Sequence, residues 1–588
     1  QTISAQTLIK HFNWLKENGY NVISWQQVID AENGKGTLPD NAVLLSFDDG
    51  YETMYNVVFP LLKAYNYPAV FAPVTGWLDT PANQKIAYAD KMLDRSVFAT
   101  WSQVKEMEQS GLVEIASHTH NLHNGINANP SGGQLPSVIA PEYKNGKYET
   151  EDAYKNRLKS DFTRTVQTLV NHIGKKPRVM VWPYGQFNDV SVQIARQAGM
   201  PHYFSLGEKI VNKVGDKHIG RLLLNAETDL NTVKNYLDGI DESKQIQRVL
   251  HVDLDYVYDA DKAQQAKNLD KLIDRIYRYG VTTVYLQAFS DPDGDGVADA
   301  LYFPNKYLPV RDDIFGRIAW QLQTRAGVQV YAWMPVLAFD LRKGVKEAEY
   351  VIDSRTGKTS TKAYLRLSPY NKQNVEIIKS IYNDLSFYAK FNGILFHDDA
   401  FLTDFEGAEG DHAEGMVSPQ AKQKTQDLIQ LTHQLTDALK PYFLRGSYSL
   451  KTARNLYASV ITNPNAEEWL AQNLKTLTDN YDTTAIMAMP YMENEQPISQ
   501  KEAYQWFASL IENVKAQAPL EKVLFEFQAV NWRTQKPIPE SELIDWMTLL
   551  QKNHIYSYGY YPDNFLTNQP DMNKMKPYFS VNTNAGKQ

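Results

Sequence analysis

Over residues 1–240, short apolar runs alternate with segments of helical spacing. The runs at 43–47, 68–73, 113–117, 179–183 and 203–206 have the length and uniform apolarity of buried strands. Between them, residues 100–109 and 161–173 repeat apolar positions at helical intervals, which predicts a β/α layout. Residues 239–245 are polar, show no periodic apolar face, and are the predicted linker. From Arg248 onward eight further strand-like runs follow, at 248–256, 282–289, 329–337, 393–400, 443–448, 484–491, 523–532 and 557–565. Nearly all are separated by enough chain for a helix. This pattern predicts a (β/α)8 TIM-type barrel over 247–588, with its working residues on the loops after the strand ends. The expected fold is therefore α/β throughout, in two domains.

Composition agrees with two cores rather than one. The chain has 588 residues, 43% of them hydrophobic and 22% charged, and no apolar stretch approaches the roughly 18–20 residues of a membrane span. A net charge of −8 argues against nucleic acid as partner. The absence of cysteine excludes disulfides and thiolate metal sites and suits a bacterial envelope protein. Residue 1 opens directly into a helix-like pattern (Leu8, Phe12, Leu15), so a signal or lipid anchor is expected to be absent from this chain. The 36 Tyr and 11 Trp pack the core for the most part, and suggest sugar stacking only where they gather at strand ends.

The first chemistry follows the run at 43–47, which ends in Ser46-Phe47-Asp48-Asp49-Gly50. Adjacent carboxylates at a strand end repel each other and resist burial, so a fold keeps them where a metal, proton or substrate needs them. After the run at 113–117 come His118, His120 and His123. Two histidines and a carboxylate from strand-end loops make an open three-ligand site for a divalent ion. A third strand end, Val181-Trp182-Pro183-Tyr184-Gly185, forms a turn able to present a backbone N–H.

These three elements in this order resemble the polysaccharide deacetylases of carbohydrate esterase family 4, with their NodB-like (β/α) barrel. The resemblance implies Asp48 as general base, with Asp49, His118 and His123 as ligands of one divalent transition metal (Zn, Fe, Co or Ni). It gives Tyr184 the oxyanion N–H. Two departures stand out. The histidines are five apart where the family usually has four, which makes His120 a competing ligand. The Arg that precedes the family's Pro-Tyr is replaced by Val181-Trp182, so the base must be oriented from elsewhere. His202 and His218 lack the strand-end context of the family's late histidine acid. The opening residues, through 19–24, resemble the part of these domains that in one branch follows a Tyr-His strand. The expectation is that this first strand is missing here together with the acid, leaving a weak deacetylase.

The second carboxylate pair, His397-Asp398-Asp399, ends the fourth barrel run and leads on to Asp404. Glycoside hydrolysis needs a proton donor and a group that stabilises an oxocarbenium ion, and mutual repulsion in an Asp cluster raises one pKa toward neutrality. Asp253, Asp255, Trp333, Tyr491, Trp532, Tyr561 and Asp563 sit at other predicted strand ends as substrate-binding candidates. The segments 251–258, 331–335, 451–455, 488–491 and 560–565 resemble the C-terminal domain of the two-domain bacterial poly-β-1,6-N-acetyl-D-glucosamine deacetylases of biofilm exopolysaccharide. That resemblance implies partial N-deacetylation in the first domain, and binding and hydrolysis of the partly deacetylated polymer in the barrel. It makes Asp404 the hydrolytic aspartate, with Asp398 and Asp399 lining the cleft. It further implies a periplasmic monomer, held at the outer membrane through a leader absent from this chain and working with an export porin. The competing readings are a barrel that binds without cleaving, or a substrate of chitin or peptidoglycan type. One more motif, Asp291-Pro292-Asp293-Gly294-Asp295-Gly296, begins like an EF-hand loop but has Tyr302 at position 12, and is read as an acidic turn rather than a calcium site.

Overall fold

A computed structural model describes residues 3–207, 211–239, 246–407, 417–446 and 449–581. The chain divides into two compact units, Gln1–Lys244 with Leu444–Ser449, and Gln245–Phe443 with Leu450–Gln588. Most of the predicted linker, residues 240–245, lies outside the described residues.

In the first unit the short strands β1 (Asn21–Val22) and β2 (Ala42–Val43) pair in parallel. Two three-stranded parallel sheets follow: β3 (Leu45–Asp49), β4 (Ala69–Pro73) and β5 (Val113–Ile115), then β6 (Val179–Val181), β7 (His202–Leu206) and β8 (His218–Arg221). An isolated parallel bridge between Ser117 and Met180 joins them. The apolar run of β4 is continuous because both its faces are covered. Val70 and Ala72 pack with Trp25, Val179, Val181 and Phe204, while Ala69 and Phe71 pack with Phe12, Leu62 and Val104. The helix Glu151–Ile173 starts on the Thr150 side-chain cap and ends at Gly174, whose φ of 78° only glycine adopts easily. The predicted strands at 43–47, 68–73, 113–117, 179–183 and 203–206 are all present. The strands β1 and β8 were not predicted, because the two residues Asn21–Val22 and the mixed His-Ile-Gly-Arg carry no apolar run.

The second unit is a closed barrel of parallel strands in sequence order: β9 (Arg248–Val252), β10 (Thr283–Gln287), β11 (Gln329–Met334), β12 (Gly393–Phe396), β13 (Lys451–Tyr457), β14 (Thr483–Ala488), β15 (Val523–Gln528) and β16 (Tyr558–Tyr561). Pairing of Val249 with both Thr283 and Gly559 closes it. One strand departs from the expectation. No strand forms across the described part of 443–448; the fifth barrel strand is β13. Its central Arg454 and Asn455 hide it from a search for apolar runs. Both are buried and paired, Arg454 with the Tyr481 hydroxyl (2.9 Å) and the Ala400 carbonyl (2.9 Å), Asn455 with Glu526 (2.6 Å). Among the described residues no helix is long and apolar enough to cross a membrane.

Candidate active sites of the two domains

Three strand-end residues in the first unit take left-handed backbone conformations that non-glycine residues rarely adopt: Asp49 (φ 73°), Thr119 (φ 70°) and Tyr184 (φ 58°). Such strain persists where the surroundings over-determine it, and it clusters at working sites. Asp49 Oδ1 lies 3.4 Å from His118 Nε2 and 3.3 Å from His123 Nε2. His118 Nδ1 donates to the Val181 carbonyl (2.7 Å), which leaves Nε2 as the lone-pair side facing Asp49. Asp49 Oδ2 accepts from the Tyr88 hydroxyl (3.0 Å). The ring of His123 is packed by Trp77, Tyr88 and Tyr184 at 5.1, 5.9 and 4.6 Å between centroids. The ligand atoms of Asp49, His118 and His123 all lie within 4.8 Å of one another, so the donor set suits a divalent cation. Burial pushes the His118 imidazole down, yet the carboxylates of Asp49 and Asp48 outweigh it and raise its pKa.

His120 stands outside this triad. Its Nδ1 meets the Thr75 hydroxyl (2.9 Å), and its backbone N–H, with that of Asn121, donates to Asp161 (2.8 and 2.7 Å). Asp161 therefore fixes the loop between the two ligand histidines, and burial raises its carboxyl to about 6. The loop also comes so close to residue 76 that a Cβ there would lie 2.0 Å from Asn121 Oδ1, so only glycine fits.

Asp48 takes the opposite direction from its neighbour. Arg221, at the end of β8, holds both its oxygens through a two-pronged contact (Nη1 to Oδ1 2.9 Å, Nη2 to Oδ2 3.0 Å) and also reaches Ser46 Oγ (2.9 Å). Burial alone would raise this carboxyl, but Arg221 and His118 outweigh it and hold it below the usual carboxylate range. Arg221 is thus the orienting cation that the Pro-Tyr motif does not supply. His202 instead pairs with Glu32 (2.7 Å), and His218 Nε2 meets Ser205 (2.6 Å).

In the barrel, Asp398 sits under an aromatic roof. It accepts from the Tyr364 hydroxyl (3.0 and 2.9 Å) and the Tyr457 hydroxyl (2.6 Å), and pairs with His397 Nε2 at 2.8 Å. Burial opposes the charge on both partners, yet attraction raises His397 to about 10 and lowers Asp398. Trp333 stacks on His251 (4.8 Å, 13°) and meets Tyr561 (5.4 Å) and His397 (5.2 Å), and Trp532 stacks on Tyr561 (6.1 Å, 28°). Burial pushes the carboxyls of Asp253 and Glu526 each up to about 8, and Glu493 to about 7. Carboxyls held neutral beside one kept ionised form the kind of division that acid–base chemistry uses.

Other residues expected here are placed differently. Asp399 is fully buried and accepts from the backbone N–H groups of Val336, Leu337 and Ala338 (3.0, 2.6 and 2.6 Å), so it clamps the loop after β11 instead of lining a cleft. Asp563 is fully buried against Arg275 (2.6 Å) and Tyr560 (2.7 Å), a structural ion pair rather than a sugar contact. Asp255 is engaged by Arg311 and the Tyr302 hydroxyl (2.6 Å) and by Ser290 (3.2 Å). Tyr491 donates its hydroxyl to Glu542 and its backbone N–H to Gln528 Oε1 (2.5 and 2.9 Å). Asp404 sits on a half-buried turn, its flanking backbone held by Glu406 on the Thr403 N–H (2.9 Å) and Lys424 on the Thr403 carbonyl (2.9 Å). The ligand atoms of Asp291, Asp293 and Asp295 come together, but Asp291 accepts the N–H groups of Gly294, Asp295 and Gly296, as an acidic turn does. The sequence reading missed Tyr364, Tyr457, Glu526 and Glu493; Tyr457 ends the unrecognised strand β13, and the others carry no local motif.

A family model described as polysaccharide deacetylase matches residues 35–203, and one described as hypothetical glycosyl hydrolase family 13 matches residues 251–561. The poly-β-1,6-N-acetyl-D-glucosamine N-deacetylase of Escherichia coli K12 is 40% identical over 99% of this chain and 89% of its own length. The Staphylococcus aureus protein of the same name is 26% identical over 41% of this chain and 73% of its own. Among solved structures, the glycoside hydrolase domain of PgaB (BpsB) from Bordetella bronchiseptica is 39% identical, covering 58% of this chain and all of that one, with a TM-score of 0.53. With both domains matched in order and nearly its full length aligned, the chain belongs to the poly-β-1,6-N-acetyl-D-glucosamine N-deacetylase family, a polysaccharide deacetylase domain followed by a glycosyl-hydrolase-like barrel.

Proposed function

We propose that the first domain removes acetyl groups from poly-β-1,6-N-acetyl-D-glucosamine with the help of a divalent cation, and that the barrel binds and hydrolyses the partly deacetylated polymer. The observation that carries the first half is the pairing of Arg221 with Asp48 directly beside the Asp49, His118 and His123 triad. Those three residues would hold the ion, which when bound supplies a Lewis acid for the water and the amide carbonyl. Asp48, kept ionised and aimed by Arg221, accepts the proton of the attacking water. The Tyr184 backbone N–H is the donor assigned to the oxyanion, and the Trp77, Tyr88 and Tyr184 rings shield His123 from solvent. In the barrel, Asp253 and Glu526 hold protons near neutrality while Asp398 remains charged, and Asp404 is the hydrolytic aspartate on the strength of the resemblance. A secreted polymer as substrate fits action in a bacterial periplasm, beside an export porin.

Acetate release and bound metal, measured together on variants, test the first half. Asp48→Asn is expected to lower deacetylation about 100- to 10,000-fold with metal content intact, whereas His118→Ala and His123→Ala lose the metal. Equal metal loss in all three would reject the division between base and ligands. For the barrel, chain shortening of partly deacetylated polymer is expected to stop in Asp404→Asn while binding persists.

A further inference from the structure

We propose that Tyr88 is a positioning residue that sets how tightly Asp49, His118 and His123 hold a cation, acting on two of those three ligands at once. This rests on the reading of that triad as the cation site of the deacetylase domain. The two histidines are held in different ways. His118 has its Nδ1 on the Val181 carbonyl (2.7 Å), which fixes both its tautomer and its ring plane. His123 is held by rings: Trp77, Tyr88, Tyr184 and His118 surround it at 5.1, 5.9, 4.6 and 5.0 Å between centroids. Of the four, the Tyr88 ring lies nearest to parallel with the imidazole, at 19° against 61°, 44° and 53°. The same Tyr88 gives its hydroxyl to Asp49 Oδ2 at 3.0 Å. That leaves Oδ1 turned toward both Nε2 atoms, at 3.4 and 3.3 Å.

Tyr88 ends the first strand of a hairpin, Lys85–Tyr88 paired with Lys91–Asp94. Of these eight residues only Ile86 is buried, while Lys85, Ala87, Lys91, Met92 and Asp94 are exposed. The two-residue turn between the strands has Ala89 at a φ of 52°, left-handed backbone that a residue with a Cβ keeps only where its surroundings require it. Trp77 and Tyr51 pack on the Tyr88 ring at 5.5 and 6.1 Å, so the phenol is held in place from outside the triad as well. A carboxylate whose second oxygen accepts a hydrogen bond cannot swing about its own axis. Its first oxygen is then already aimed before a cation arrives, and that pre-organisation is gained as affinity. A phenol does this without a charge of its own. A Lys or Arg in its place would repel the cation, whereas Arg221 can serve Asp48 because that carboxylate lies outside the triad.

Zinc(II) titration of the metal-stripped full chain, in competition with a fluorescent chelator, tests this. Tyr88→Phe keeps the ring and loses the hydroxyl, and is expected to weaken zinc binding about 10- to 100-fold. Tyr88→Leu gives up the ring face as well and should weaken it about threefold more. The unfolding midpoint of the metal-free chain should be the same for Tyr88→Phe as for the parent. A tyrosine that merely pinned the hairpin would do the reverse, lowering that midpoint and leaving zinc binding alone. Zinc binding by Tyr88→Phe within about twofold of the parent overturns the proposal, whatever happens to Tyr88→Leu. His118→Ala separates this result from the reading beneath it, since that variant should lose the zinc of the triad. If His118→Ala binds zinc as tightly as the parent, the triad is not the cation site and that reading falls instead.

Discussion

In the deacetylase domain, Asp48 faces the Arg221 guanidinium and Asp49 faces two imidazoles; in the barrel, Asp398 faces His397 and two tyrosines while Asp399 faces three backbone amides. Asp48 and Asp49 close the strand β3, whereas Asp398 and Asp399 lie in the turn just after β12. In both places the two like charges are handed to different partners. The difference lies in what those partners leave open. Arg221 and Tyr88 hold the first pair while the facing Nε2 atoms and Oδ1 of the triad stay free to converge on a cation. In the second pair Asp399 is consumed by the fold, and buried atoms without hydrogen bonds lie instead on Asp253 and Trp333, contributed by other strands, while His251 Nε2 lies 3.5 Å from Glu526 Oε1. The same dipeptide thus leaves both carboxylates on side-chain partners in one domain, and in the other one carboxylate on side chains and one clamping backbone.

Three substitutions sharpen this contrast, beyond the loss of activity expected for Asp48→Asn. The largest effect should come from Asp563→Asn, which leaves Arg275 buried without its carboxylate; about 3–5 kcal/mol of barrel stability should be lost in denaturant titration. Polymer affinity of the molecules still folded should not change, and a selective loss of affinity would return Asp563 to the binding surface. Next, Arg221→Gln should lower the rate of acetate release about 100-fold by releasing the base from its orientation, with cation content unchanged. Loss of the cation in that variant would mean that Arg221 holds the triad instead of Asp48. The smallest effect concerns Glu526, whose buried carboxyl is raised to about 8 with Asn455 as its hydrogen-bond donor. A carboxyl raised in the folded state binds its proton more tightly there than in the unfolded chain. It costs nothing below the ordinary carboxylate range and costs progressively more as pH climbs toward 8. Glu526→Gln, which still accepts from Asn455, should therefore unfold about 2–4 °C higher than the parent at pH 8 and show no gain at pH 4. A gain equal at both pH values would contradict the buried-proton assignment.

Much of the fold can be read from β4 and its counterparts, where uniformly apolar residues leave no choice but a strand covered on both faces. β13 and β8 were hidden for the converse reason. Their Arg454, Asn455 and Arg221 look like surface residues until partners from distant strands satisfy them. Asp49 and His118 were legible as candidates because they sit at the ends of recognisable strands, which fixes their end of the sheet, and the loop after His118 brings His123 back beside them. Asp563 and Asp399 were misplaced because a strand-end carboxylate has the same local sequence whether it meets a ligand, an arginine or a backbone amide.

By itself the sequence determined two β/α domains and their order, and it singled out Asp49, His118 and His123 as a candidate metal-type triad, since hydrophobic periodicity and short strand-end motifs are local properties. Which carboxylates are clamps, which cation orients Asp48, and which buried atoms stay unpaired were decided only by tertiary structure. Burial and hydrogen bonding depend on residues hundreds of positions apart, as Arg221 with Asp48 and Arg275 with Asp563 both illustrate.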